Sequence, residues 1–178
     1  MQNFSCRCYF KLAWFLSISI YNQNSIKMKN LNETIEVLND LVQINNDRIQ
    51  GYEKAIKELS KDDEELKPLF IEFIEQSQTI KEELEKEIQT SGGKVDESTT
   101  TSGKIYRVWM DMKATVTGHN KEGILGSCIF GEEAAQKAYA DALDEDLTEH
   151  INQLISQQKM SLSDSLDEIR SFKDQVAR

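Results

Sequence analysis

The chain has 178 residues and a single proline, Pro68, which allows one domain with a real core and leaves too little for two. Its formal charge of −10, from 31 acidic against 21 basic residues, repels phosphate backbones and excludes the usual electrostatic footprint of nucleic-acid binding. A composition rich in Glu, Lys, Leu, Ile and Gln, with few aromatics and no strand-like alternation, is the balance of amphipathic helices.

Residues 1–27 differ from the rest. They hold Arg7, Lys11 and Lys27 and no acid, and Phe10 to Tyr21 is mostly apolar. This resembles the charged and hydrophobic regions of a secretory signal, but no small-x-small cleavage site follows Tyr21, and the apolar run falls short of the roughly 20 residues of a spanning helix. The favoured expectation is that translation starts at Met28, with 1–27 a doubtful leader and 28–178 the single domain. The alternatives are export, or attachment to a membrane through residues 10–21. Cys6 and Cys8 lie in the leader and Cys128 stands alone, so the body has no disulfide framework or zinc-type Cys pair.

In chain order, Leu31, Ile35, Leu38, Val42, Ile49, Tyr52, Ile56 and Leu59 recur at three- and four-residue steps and predict a first helix, with Asn32 as its N-cap. Ser60-Lys61-Asp62-Asp63 is a polar break. The second stripe is Leu66, Phe70, Phe73, Ile80, Leu84 and Ile88, with Pro68 in its first turns and Gly92-Gly93 at its end. Each helix runs to about 45 Å, and the short link between them predicts an antiparallel hairpin.

Residues 92–103 form a connector rich in turn formers. A shorter stripe of Ile105, Trp109, Met112 and Val116 follows, closed by Gly118-His119-Asn120. It predicts a short helix that carries the chain back along the hairpin. The third long helix starts near Lys121 and uses Leu125, Cys128, Ala135, Tyr139 and Ala142; the fourth uses Leu147, Ile151, Leu154, Leu162, Ile169, Phe172 and Val176. Asp144-Glu145-Asp146 makes a short acidic junction that favours the start of the last helix. The expected fold is all-α: a ferritin-like four-helix bundle of two antiparallel hairpins joined by a long crossover that contains a short helix.

One polar residue interrupts each long seam near its middle: Asn45, Ser77, Glu132 and Gln158. Counting from the turns puts Asn45 level with Ser77, and Glu132 level with Gln158. Bundles place metal and cofactor sites at such a layer, and a di-iron site needs a Glu from each of two helices and a Glu-x-x-His pair from each of the others. This layer holds one carboxylate. Beside it, Glu75 and Gln78 have the right spacing with Gln in place of His, while Glu149 and His150 are adjacent.

Three readings of the layer follow. The four residues bond one another or trapped water and fix helix register; or they are an altered metal site that uses Glu132 with Glu53, Glu75 or Glu133; or they line a small-molecule pocket. His119 reads as a solvated loop residue and Cys128 as a small buried hydrophobe. No glycine-rich phosphate loop, Ser/His/Asp arrangement or HExxH spacing occurs.

Two segments, Asn45-Asn46-Asp47-Arg48-Ile49-Gln50-Gly51-Tyr52-Glu53-Lys54-Ala55 and Gly131-Glu132-Glu133-Ala134-Ala135-Gln136-Lys137-Ala138-Tyr139, with Tyr106-Arg107-Val108-Trp109 between them, carry a family resemblance. Over about residues 30–175 the chain resembles a bacterial domain-of-unknown-function family of uncharacterised, ferritin-like four-helix-bundle proteins. The resemblance implies that fold and a cytoplasmic bacterial protein, and lends no catalytic residue. Where the family pattern has acids around the cysteine before Gly-Glu, this chain has Ser127, Cys128, Ile129 and Phe130, which weighs against metal binding.

The expectation from residues and resemblance together is a non-enzymatic bundle that acts through self-association or a protein partner, with no cofactor, nucleic acid or membrane contact. The alternative is an oxidase or iron-handling protein with iron, or another divalent metal pair, in a degenerate mid-bundle site.

Overall fold

The structure is a computed structural model; it describes the backbone over residues 6–96 and 121–176, and side chains from residue 30 onward. Among the described residues the chain forms four long α-helices and no strand: α1 (Cys6–Glu58), α2 (Lys67–Thr90), α3 (Lys121–Leu143) and α4 (Glu149–Val176). The short helix expected over 105–116, with His119 and Trp109, lies outside the described residues.

Helix α1 corrects one expectation. It passes through Asn32 without a break, so Asn32 is an interior residue and caps nothing. No proline or glycine occurs before Gly51 to stop the helix, and an N-cap side chain works only where the preceding backbone leaves helical geometry. Ser60 begins the turn into the second helix, with its hydroxyl 2.5 Å from Asp63 Oδ2, and a 3-10 helix over Lys61–Leu66 leads to Pro68 in the first turn of α2. Among the described residues no helix is long and apolar enough to cross a membrane.

Helix α2 ends in a Schellman motif. Gly93 N donates to the Ile88 carbonyl and Gly92 N to that of Gln89, both at 2.9 Å, and Gly92 takes φ 75°, a conformation that favours glycine. The chain then returns across α1: Asn39 donates to the Lys94 carbonyl at 3.0 Å, and Gln43 to Asp96 Oδ2 at 2.9 Å. Residues Leu41 to Arg48 are buried on every side of α1.

The seams close one core. Leu38, Val42, Tyr52, Leu66, Phe70, Leu84, Ile88, Leu125, Ala135, Tyr139, Leu162 and Ile169 are all fully or nearly fully buried, while Leu31 and Val176 at the stripe ends are exposed. Cross-helix bonds give the directions. Tyr52 meets Glu132 and Asn45 meets Tyr139, so α1 and α3 are antiparallel; Gln136 donates to the Lys159 carbonyl at 2.9 Å across the α3–α4 hairpin. Helices α1 and α2 form the other hairpin. Consequently α2 and α3 run the same way, the arrangement of a bundle with one long crossover.

Candidate functional site

The mid-bundle centre is organised by a residue absent from the expected polar layer. Arg48 follows Asn45 by three residues and precedes Tyr52 by four, so all three project from one face of α1. Arg48 is 0% exposed and faces Glu132 of α3, also 0% exposed. Its Nε and Nη2 both donate to Glu132 Oε1, at 3.0 and 2.7 Å. Nη1 donates to Ser77 Oγ at 2.7 Å and Nη2 to Gln76 Oε1 at 3.1 Å, so a single guanidinium ties α1 to both α2 and α3.

Each partner is held in turn. Ser77 donates its own hydroxyl to the Phe73 carbonyl at 2.7 Å, which leaves its oxygen to accept from Arg48. Gln76 Nε2 donates to Ser161 Oγ at 2.9 Å, and Ser165 donates to Gln76 Oε1 at 3.1 Å, which brings in α4. Tyr52 donates its phenol to Glu132 Oε1 at 2.5 Å, and its ring packs on Phe70 and Phe73 with centroids 5.5 and 5.3 Å away. Glu132 Oε1 thus takes three donors, whereas Glu132 Oε2 has no hydrogen-bond partner among the described residues. Burial alone would drain the Arg48 charge, but Glu132 outweighs it and holds the guanidinium above its ordinary value.

A second tier lies one turn away. Asn45 Nδ2 donates to Tyr139 OH at 2.9 Å and to the Leu41 carbonyl at 2.8 Å. Tyr139 OH donates to Gln158 Oε1 at 3.4 Å, and Gln158 Nε2 to Glu83 Oε2 at 2.9 Å. Burial pushes both phenols up, that of Tyr52 further through the neighbouring Glu132 charge. It also raises the thiol of Cys128, a free cysteine one turn from Glu132 that is inert as a nucleophile in this setting.

The four interrupting residues are therefore all buried, and their bonds run through residues outside the expected layer. Ser77 and Glu132 share Arg48, while Asn45 and Gln158 share Tyr139. Of the carboxylates considered beside Glu132, Glu53 and Glu75 are exposed on the outer faces of their helices, and Glu133 is exposed and ion-paired with Arg170 at 2.8 Å. No group of three or more His, Cys, Asp or Glu converges as metal ligands among the described residues. At the height of Glu132 the facing side chains are a guanidinium, a hydroxyl and an amide. That donor set does not fit a di-iron centre, because two hard cations need several anionic oxygens, Glu132 is already paired with a cation, and the other fully buried carboxylate, Asp47, belongs to no cluster of three or more such ligands among the described residues.

Fold and site together define a ferritin-like four-helix bundle whose middle is closed by a buried Arg–Glu network. The sequence pattern of the family described as Domain of unknown function (DUF2383) matches residues 33–145, and the chain belongs to that family. The matched span contains Asn45, Arg48, Tyr52, Ser77, Glu132 and Tyr139 and leaves Gln158 outside. Among solved structures the chain is similar to a ferritin-like diiron-carboxylate protein from Bacillus anthracis str. Ames. The two are 18% identical with a TM-score of 0.53 over 84% of this chain and 96% of that one, a likeness of fold. No curated protein matches.

Proposed function

We propose that this chain is a non-enzymatic ferritin-like bundle that acts through association with itself or with another protein, with its mid-bundle centre serving as a structural lock. The observation that carries this reading is the Arg48 guanidinium, which spends four bonds on Glu132, Ser77 and Gln76 at the height where such bundles hold their reactive groups. With the interior committed to its own bonds, the chain offers others its outer surface, where Ile71, Phe130 and Met160 remain 41%, 46% and 69% exposed. A cytoplasmic location suits a body with one buried free thiol and no disulfide.

The second reading, a degenerate di-metal site that handles iron, has the bare Oε2 of Glu132 on its side. Light scattering coupled to size exclusion tests the first. We expect a defined oligomer that dissociates when Phe130 or Met160 is changed to Glu; a monomer at all concentrations that also captures no protein partner would overturn association.

A further inference from the structure

Polar rungs bridge helices α2 and α4. One rung is Gln76 on Ser161, the next Gln158 Nε2 on Glu83 Oε2, and His150 meets Glu87 beyond them. Between the rungs opens a cleft of about 330 Å³. This lies at the small end of ligand sites, which run from roughly 300 to 1,000 Å³.

Its chemistry is one-sided. Among the described residues the only charged one in its lining is Glu83, and no Lys, Arg or His lines it. Glu83, an exposed residue, accepts at Oε2 from Gln158, a side chain only 4% exposed that Tyr139 anchors from within, so the carboxylate is oriented at the cleft. Thr79 sends its hydroxyl proton to the Glu75 carbonyl and turns lone pairs outward. Ile80 and Leu154 supply the apolar part of the lining. A carboxylate and hydroxyl lone pairs beside two aliphatic side chains ask for a ligand with a cationic donor on a short hydrocarbon chain.

We propose that this cleft binds a small aliphatic amine, with its ammonium on Glu83 and its methylenes over Ile80 and Leu154. The cleft ends at Gln76, whose Oε1 also receives Arg48, so an occupant sits one hydrogen bond from the buried centre.

Calorimetric titration of the full chain with n-butylamine at neutral pH tests this, against 1-butanol and butyrate as the uncharged and anionic counterparts. Saturable binding of the amine, with both counterparts weaker by about tenfold or more, is expected. Glu83→Gln keeps an acceptor for Gln158 and is expected to remove the amine's advantage, while Glu82→Gln, an equal charge change on a neighbour that is likewise exposed but does not line the cleft, leaves it intact. Leu154→Ala is expected to weaken n-butylamine and leave methylamine unchanged. Equal losses for Glu82→Gln and Glu83→Gln would mean diffuse attraction to an acidic protein and overturn the proposal, as would 1-butanol binding as tightly as the amine or no saturation at millimolar amine.

Discussion

Changing Arg48 to alanine strips the centre of its only cation among the described residues and leaves the Glu132 carboxylate, 0% exposed, with the Tyr52 phenol as its remaining donor there. Breaking a buried pair from one side costs about 3–5 kcal/mol, because the surviving charge has lost both water and partner. The same range applies to Glu132→Leu, which leaves the guanidinium with only Ser77 and Gln76. Removing both charges at once is a different matter. In Arg48→Met/Glu132→Leu no charge is stranded, Ser77 keeps its bond to Phe73, Gln76 keeps Ser165, and the chief loss is the acceptor of Tyr52. Losing that acceptor costs about 1–3 kcal/mol, well below the roughly 6–10 kcal/mol that the two single changes sum to. Arg48→Lys recovers little, since an ammonium cannot span Glu132, Ser77 and Gln76 together. Urea denaturation followed by far-UV circular dichroism measures all four variants. Single changes that cost under about 1 kcal/mol, the range of exposed pairs, or a double change as costly as the sum, would refute the reasoning.

Alkaline pH should unfold the protein. Burial, with the Glu132 charge second, raises Tyr52 well above its ordinary value of 10.0, and burial raises Tyr139 in the same direction against the opposing bond from Asn45. The unfolded chain loses these protons near pH 10 while the folded chain keeps them, so the stability they contribute is complete below that pH and is lost as pH rises toward the folded values. Melting temperature recorded upward from neutral pH is expected to fall in this window, less steeply in Tyr139→Phe; a flat profile would contradict the burial. Tyr139→Phe also removes the hydroxyl that donates to Gln158 Oε1 and should cost about 1–2 kcal/mol in urea, less than either change at the ion pair. A methyl group at Gly93 would lie 2.8 Å from Ile35 Cγ2 and 3.0 Å from Ile88 Cγ2, so Gly93→Ala is expected to lower stability by about 1–3 kcal/mol. Gly92→Ala meets no atom but holds φ 75° and is expected to cost about 1–2 kcal/mol, visible in the melting temperature.

Apolar spacing was enough to read the seams, because a core residue announces itself every three or four positions whatever the neighbouring helix does. The end of α2 was legible for a similarly local reason, since Gly92 and Gly93 supply the two positions that a Schellman motif needs. The start of α1 was not, as Asn32 has the chemistry of a cap while the chain before it contains nothing that breaks a helix. Arg48 escaped because the stripe passes to Ile49 and a charge is ordinarily assigned to solvent. Its signal was present in the spacing, three residues after Asn45 and four before Tyr52, on the face that the stripe itself defines. Helix register was the remaining gap. Counting from the turn compares backbone heights, whereas side chains on a helix lean toward its N-terminus, so the long Arg48 side chain reaches back toward the level of Asn45 and meets Ser77 there. Tyr139 was visible as core, but its hydroxyl acquires a role only once that register brings Asn45 and Gln158 to either side.

Iron retention tests the central claim most directly, that the mid-bundle centre is a closed ion-pair lock. The full chain is mixed with ferrous iron in air, desalted, and assayed for bound metal together with its near-ultraviolet absorbance. The lock predicts no stoichiometric iron, no new absorbance band and an unchanged unfolding midpoint in wild type. About two irons retained per chain, lost on Glu132→Ala, would show that Arg48 yields its place and would contradict the lock.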